Sequence, residues 1–214
     1  MVPGCPDTLI ENNIRAAVIE LCEKAAVLQA ELDPITTVAG AYEYDLEPPS
    51  GTVVHKIMWV VHDGKDIEPI STSLLEQRKQ NWRDADNRGT PEYYVKISQS
   101  LFWMVPVPNV TKASSTIVRA QLKPTQTSTA ADDELMAEYR DTIVNGALFR
   151  LLRLPSKDWT DFGGAQVYSS LFNEGITQAD RRARNADVGI ARKVAYGGIY
   201  TPFSQRRNRD GRGG

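Results

Sequence analysis

The sequence predicts an α+β fold: an antiparallel helical bundle, built from a long N-terminal helix and two long C-terminal helices, with an inserted small antiparallel β domain and an extended C-terminal arm. Two observations predict it. Apolar residues recur every three or four positions near both ends of the chain, as on one face of a helix, and the period is two between about residues 35 and 122. Because the 214 residues are 41% hydrophobic, the chain can bury a sizeable core without disulfides or metals.

The first helix is predicted from Asp7 to Leu32. Thr8 and Glu11 have the spacing of a capping box, and Asp7 places negative charge at the positive end of the helix dipole. The apolar stripe consists of Ile10, Ile14, Ala17, Leu21, Ala25, Leu28 and Leu32. Pro34 ends the helix, because the residue before a proline is disfavoured in the helical region.

Residues 34–129 are predicted to form a β domain of six to eight antiparallel strands with one short helix, Leu74–Trp82, capped by Ser71 or Ser73. Asp63-Gly64 is a strong hairpin signal. The predicted strands are 35–39 and 42–46 around Gly40 as a hairpin, then 52–62, 67–70, 90–97, 101–105 and 116–122.

Two further helices are predicted after a linker, residues 123–131. Acidic residues at 132–134 open the first of them, whose stripe is Met136, Tyr139, Ile143, Ala147 and Leu151, and Pro155 stops it. The last helix is predicted to begin between Asp158 and Gly164 and to run for about 30 residues. Its stripe consists of Ala165, Tyr168, Phe172, Ile176, Ala179, Ala183, Ala186, Ile190 and Val194.

The helices should pack on one another, because the β domain alone offers too little surface to cover all of their apolar stripes. The predicted division is therefore 1–33 and 130–196 for the helical bundle, 34–129 for the β domain, and 197–214 for a basic C-terminal arm. The arm has too few apolar residues for a core and should be ordered only by a partner.

Charge is unevenly distributed along the chain. The net charge is −2, but residues 178–214 carry nine basic and three acidic side chains, so this end sums to +6 and the rest to −8. An acidic body with a basic end is the first indication of function in this sequence.

The sequence offers no catalytic, metal or cofactor motif, so neither an enzyme nor a bound cofactor is expected. Cys5 and Cys22 do not make a disulfide framework and are expected to be free thiols of a protein made in a reducing cytoplasm. The N-terminus lacks the features of a signal peptide, and the longest strongly apolar run, residues 57–61, is too short to span a membrane, so a soluble protein without a membrane partner is expected.

The basic end has two interpretations. It could be a solvated helix face with a solubilising tail, or an arm that meets phosphate or an acidic protein surface. Tyr200 and Phe203 favour the second, because aromatic residues in an arginine-rich segment are typical anchors for a partner.

Several segments resemble the head–tail adaptor (connector) proteins of tailed phages, in particular the short-tailed-phage connectors called tail tubular protein A and their relatives. The resemblance covers about residues 6–195 and depends on the order and spacing of the segments. They are Asp33-Pro34-Ile35, Ala39-Gly40 with Tyr44-Asp45-Leu46, residues 89–94, residues 151–155 before Asp158-Trp159, and the series Tyr168, Phe172, Ile176, Ala179-Asp180 and Arg184.

The resemblance implies a structural virion protein, made in the host cytoplasm, that forms a dodecameric ring at the head–tail interface. Its expected partners are other copies of itself, the portal protein, tail nozzle or tail fibre proteins, and the double-stranded DNA that passes non-specifically through the channel. Tyr200, Phe203, Arg206, Arg207, Arg209 and Arg212 are the candidate portal-binding residues. Arg181, Arg182, Arg184, Arg192 and Lys193 are candidate inter-subunit or channel-facing residues. The alternative is a non-enzymatic nucleic-acid-binding module that uses the same basic helix and tail.

Overall fold

The protein is described by a computed structural model, which covers residues 3–128 and 133–185. Five α-helices and nine strands lie within those ranges. The helices are α1 (Asp7–Lys24), α2 (Thr72–Arg78), α3 (Asp133–Glu138), α4 (Arg140–Leu152) and α5 (Phe162–Asn185). The strands are β1 (Gln29–Glu31), β2 (Ile35–Thr37), β3 (Glu43–Asp45), β4 (Thr52–His62), β5 (Lys65–Asp66), β6 (Glu68–Pro69), β7 (Tyr93–Lys96), β8 (Leu101–Val105) and β9 (Lys112–Pro124). The predicted α+β class is confirmed.

Helix α1 is shorter than the sequence predicted. It ends at Lys24, and Ala25 adopts an extended backbone with φ −115° and ψ 132°. Residues 29–31 then pair with β9, and Leu32 is buried in the core of the sheets. The predicted continuation to residue 32 is therefore wrong. Leu28 and Leu32 are four positions apart, and this spacing places two side chains on one face of a helix but also on one face of a strand. No side-chain cap is present at the N-terminus, where Pro6 precedes the helix, so the predicted capping box is also wrong.

The strands form two sheets. One has the order β1-β9-β4-β5, with β2 also pairing with β9, and the other has the order β3-β8-β7-β6. All pairs are antiparallel except β6 with β7. The predicted hairpin around Gly40 is wrong, because β2 and β3 belong to different sheets. The Asp63-Gly64 hairpin is confirmed: both residues have positive φ, 56° and 77°, and His62 pairs with Lys65.

The remaining predicted β elements agree in place, and some of them differ in length. Strands β4 and β8 have the predicted bounds, whereas β7 begins at Tyr93 and β9 runs on to Pro124. Ser71 caps α2 as predicted, accepting a hydrogen bond from the Leu74 N–H at 3.3 Å. Helix α2 ends at Arg78, before Trp82, whose buried ring joins an apolar cluster.

The two C-terminal helical segments also differ from the prediction. The first is interrupted at Tyr139, whose backbone leaves the helical region, so that α3 and α4 are separate helices. Helix α5 begins inside the predicted interval and extends at least to Asn185. The predicted remainder of this helix and the whole arm 197–214 lie outside the described residues.

The core consists of one cluster between the sheets, one among the helices, and a smaller one around α2 and β7–β8. The helical cluster contains Leu21 of α1, Ile143 of α4 and Phe172 of α5, so residues more than 100 positions apart share one core. Leu28 packs on both the sheet cluster and the helical cluster and joins the two.

Candidate interaction surface

Helix α5 carries the basic residues singled out in the sequence, and the α4–α5 connection fixes where it begins. The Thr160 hydroxyl donates to the Leu154 carbonyl at 2.6 Å, and the Asp161 N–H donates to the Leu152 carbonyl at 2.9 Å. The Asp161 carboxylate then accepts from the Gly164 N–H at 2.9 Å. These bonds satisfy backbone groups at the end of α4 and the start of α5, so the connection is held at several points.

The inward face of α5 is the predicted stripe as far as the structure describes it. Ala165, Phe172, Ile176 and Ala179 are buried, and Tyr168 is half-buried. Helices α4 and α5 approach each other closely at positions where one of them has a glycine. A Cβ added at Gly175 would lie 2.4 Å from the Thr142 hydroxyl oxygen, closer than real contacts allow.

A partly buried ion pair fixes α4 against α1. The Arg150 guanidinium binds the Glu20 carboxylate and donates to the Gly146 carbonyl at 2.5 Å. It also lies over the Phe149 and Phe172 rings, at 4.7 and 5.3 Å from their centroids. Burial lowers the pKa of Arg150, and the charge of Glu20 opposes that shift. The ion pair thus joins α1 to α4, the helix on which α5 packs.

The outward face of α5 bears large apolar side chains that the sequence analysis did not select. Phe162 is 66% exposed, Val167 59% and Leu171 43%, and Val144 of the neighbouring α4 is 44% exposed. Val167 and Leu171 are four positions apart and therefore lie on one side of α5, whereas Phe162 lies on the opposite side of the helix from Leu171. We call Val167 and Leu171 the outer apolar face. The signal was present in the sequence, because a helix with one buried stripe has no structural need for apolar residues away from that stripe.

The basic residues of α5 are exposed near its C-terminal end. Arg182 contacts Glu138 of α3 at 3.3 Å, and Arg184 contacts Asp180 one turn earlier at 2.8 Å. Arg181 is exposed and makes no ion pair with any residue that the structure describes. The structure does not describe the other predicted site residues, which are Arg192, Lys193, Tyr200, Phe203, Arg206, Arg207, Arg209 and Arg212.

The described residues contain neither a metal-binding cluster nor a membrane-spanning helix. Among residues 3–128 and 133–185, no group of three or more His, Cys, Asp or Glu side chains is placed to hold a metal ion. His62 is buried and hydrogen-bonds Thr116 at 2.8 Å through Nδ1, and burial lowers its pKa. In the same part of the chain, none of the helices has the length and apolarity needed to cross a membrane.

Comparison with known proteins assigns the chain to a family. A search of curated proteins found no match. The SU10 adaptor protein family, in contrast, matches residues 4–193, which include α1, both sheets and α5. The chain therefore belongs to the SU10 adaptor protein family and is a structural adaptor protein of a phage.

Proposed function

We propose that this adaptor forms a ring between the portal and the tail, that the ring lines the DNA exit channel, and that the C-terminal arm docks on the portal. Family membership supports a phage adaptor, a virion component that assembles with portal and tail components. The observation that supports self-assembly is the outer apolar face on α5. The closer similarity to tail tubular protein A, and the twelve subunits which it implies, remain part of this proposal.

The outer apolar face is suited to contact between copies. Single exposed apolar residues are ordinary on protein surfaces, whereas neighbouring ones such as Val167 and Leu171 form a patch of the kind found at interaction sites. In a ring each subunit presents one surface to the next and a different surface to the previous one. We propose that α5 supplies one of these two surfaces.

A charge placed on this face tests the ring. The double variant Val167→Asp and Leu171→Asp should prevent ring formation by the purified protein, alone or with the portal, because desolvating two carboxylates opposes the contact. The matched control is Gln166→Asp with Asn173→Asp, which adds the same charge at exposed polar positions on another side of the same helix. Electron microscopy and sedimentation measure the outcome, and circular dichroism checks folding. Rings that form equally well with the Val167/Leu171 variant contradict the role of this face.

The arm is tested by truncation. Removal of the residues after Gly198 eliminates Tyr200, Phe203 and all four arginines of the tail, and it should abolish portal binding while the subunit stays folded. A second variant keeps both aromatic residues and shows whether portal binding depends on the positive charge or on the aromatic side chains. In it, Gln replaces Arg206, Arg207, Arg209 and Arg212. Unchanged portal binding by the truncated chain would rule out the proposed docking.

The alternative, a nucleic-acid-binding module, depends on arginines that are free to meet phosphate. Arg182 and Arg184 are each engaged by a carboxylate of the same chain, so among the described arginines of this group Arg181 is the one left unpaired to meet phosphate. The alternative predicts binding of duplex DNA at ~150 mM salt with a steep salt dependence, and an adaptor should show little of it. Fluorescence anisotropy with a labelled duplex distinguishes the two functions.

The domain organisation completes the proposal. We propose that α1, α4 and α5 are the helices of a bundle within 1–33 and 130–196, and that the β domain within 34–129 forms an outer wall or a contact for tail nozzle or tail fibre proteins. Leu28, which packs on both clusters, supports a rigid junction between the two parts. Limited proteolysis of the purified subunit should therefore leave this junction intact.

A further inference from the structure

A basic cleft lies where β4 of one sheet faces β7 and the β6–α2 connection of the other. Its volume is about 330 Å³, and it is lined by Lys56, Ile57, Pro69, Ile70, Ser71, Tyr94 and Lys96. Ile57 and Tyr94 are each only 5% exposed, so the floor of the cleft is apolar and continuous with the sheet core. Among the residues that the structure describes, the two lysines are the only charged residues that line it.

The positive charge of this cleft is not compensated within the described part of the chain. Neither the Lys56 nor the Lys96 side chain forms an ion pair or hydrogen bond there, whereas the neighbouring Lys123 is bound to Glu23 at 2.6 Å. Burial and then the charge of Lys123 lower the pKa of Lys96. Burial also lowers the pKa of His55, with Glu23 opposing and the three lysines adding to the effect. An anion entering the cleft would meet two ammonium groups that have no partner among the described residues, and it would be stabilised by them.

We infer that this cleft binds an acidic segment of a protein partner, with carboxylates on Lys56 and Lys96 and an apolar side chain on the floor formed by Ile57, Ile70 and Tyr94. The apolar floor argues for a peptide over DNA, because the phosphate backbone of a duplex is convex and gains nothing from apolar contact. The peptide should be recognised through its side chains and not as a strand added to the sheet. Strand β6 has only two residues, and Pro69 lacks the N–H that an added strand would pair with. The inference is independent of the ring and portal contacts proposed above.

Peptide binding to the full-length protein tests it. The probe is a short fluorescein-labelled peptide of alternating glutamate and leucine; a glutamate–serine and a lysine–leucine peptide serve as comparisons. The glutamate–leucine peptide should bind most tightly, and Lys56→Gln with Lys96→Gln should weaken it by about tenfold or more. The matched control is Lys65→Gln with Lys157→Gln, which removes the same charge at exposed lysines outside the cleft and should change binding by less than about twofold.

A second readout locates the peptide. Amide NMR signals of Ile57, Ile70 and Tyr94 should shift on titration in the parent protein and stay in place in the cleft variant. The inference is overturned if the glutamate–leucine peptide shows no saturable binding, if both lysine pairs weaken it equally, or if unlabelled duplex DNA displaces it from the cleft.

Discussion

The backbone of Gly146 on α4 faces the Phe172 ring on α5, and a Cβ added at Gly146 would lie 2.6 Å from a ring carbon and 2.9 Å from the Ala17 Cβ on α1. This glycine is therefore the point at which all three helices meet. A side chain there would have to displace a buried ring and a neighbouring helix.

Gly146→Ala should lower the free energy of unfolding by about 1–3 kcal/mol, because overpacking in the core outweighs the better helix propensity of alanine. Gly163→Ala is the matched control. Its added Cβ would meet only the Asp161 carboxylate, at an ordinary 3.5 Å, so this variant should be neutral or slightly more stable. Urea unfolding followed by circular dichroism measures both variants. If Gly146→Ala is as stable as Gly163→Ala, the close approach of the helices is contradicted.

The Arg150–Glu20 pair gives a second prediction. Either Arg150→Met or Glu20→Gln should cost about 1–3 kcal/mol, because Glu20→Gln leaves the partly buried Arg150 without a carboxylate and Arg150→Met leaves Glu20 only the more exposed Lys24. A double-mutant cycle should show that the two losses are not additive. The exposed Arg184–Asp180 pair is the control and should show coupling below about 0.5 kcal/mol. Additive losses at Arg150 and Glu20 would mean that the ion pair does not join α1 to α4.

Helical faces were predictable from the sequence because each is determined by residues close along the chain. Ala165, Phe172, Ile176 and Ala179 of α5 are buried as the spacing predicts. The hairpin turn at Asp63-Gly64 and the helix cap at Ser71 were equally predictable, because each depends on only one or two residues.

Strand pairing was not predictable, because it joins residues distant in the sequence. β1 and β2 both pair with β9, between 75 and 92 positions away, so the local pattern around Gly40 suggested a hairpin that does not form. Register shifts in β4 after Val54 and after Ile57 space its core residues Val54, Ile57 and Val60 by three positions, which a strict period of two does not anticipate.

The candidate site was predictable only in part. The exposed basic end of α5 lies where the sequence placed it, whereas the outer apolar face and the Lys56–Lys96 cleft were missed. The cleft in particular depends on two sheets facing each other, and no spacing within one strand encodes that.

Cys22 gives a third prediction. It is fully buried on α1, and burial, with a smaller contribution from Glu23, raises the pKa of its thiol to about 12. Since the thiolate is the reactive form, Cys22 should be inert in the folded protein. In a Cys5→Ser variant a thiol reagent should find no rapidly reacting group until denaturant is added, when one thiol per chain should react. Rapid modification of this variant under native conditions would contradict the burial of Cys22.

The histidines predict how stability depends on pH. Burial lowers the folded-state pKa of His62, Lys112 adds to the shift and Asp63 opposes it. The unfolded chain therefore binds the proton more readily, and the free energy of unfolding should fall as pH decreases from about 6.5 through the lower folded pKa. His62→Asn removes this titration while an amide can still bond Thr116, so its stability should change less between pH 7 and pH 5 than that of the parent protein.

The second histidine extends the prediction. The pKa of His55 is also lowered by burial, so the stability of the double variant with His55→Gln should depend still less on pH. Lys112 holds the pKa of Asp63 below its usual value, so this carboxylate titrates at lower pH and does not obscure the comparison. Urea unfolding at closely spaced pH values measures the slope, and an unchanged slope in His62→Asn would show that His62 is not held neutral by the fold.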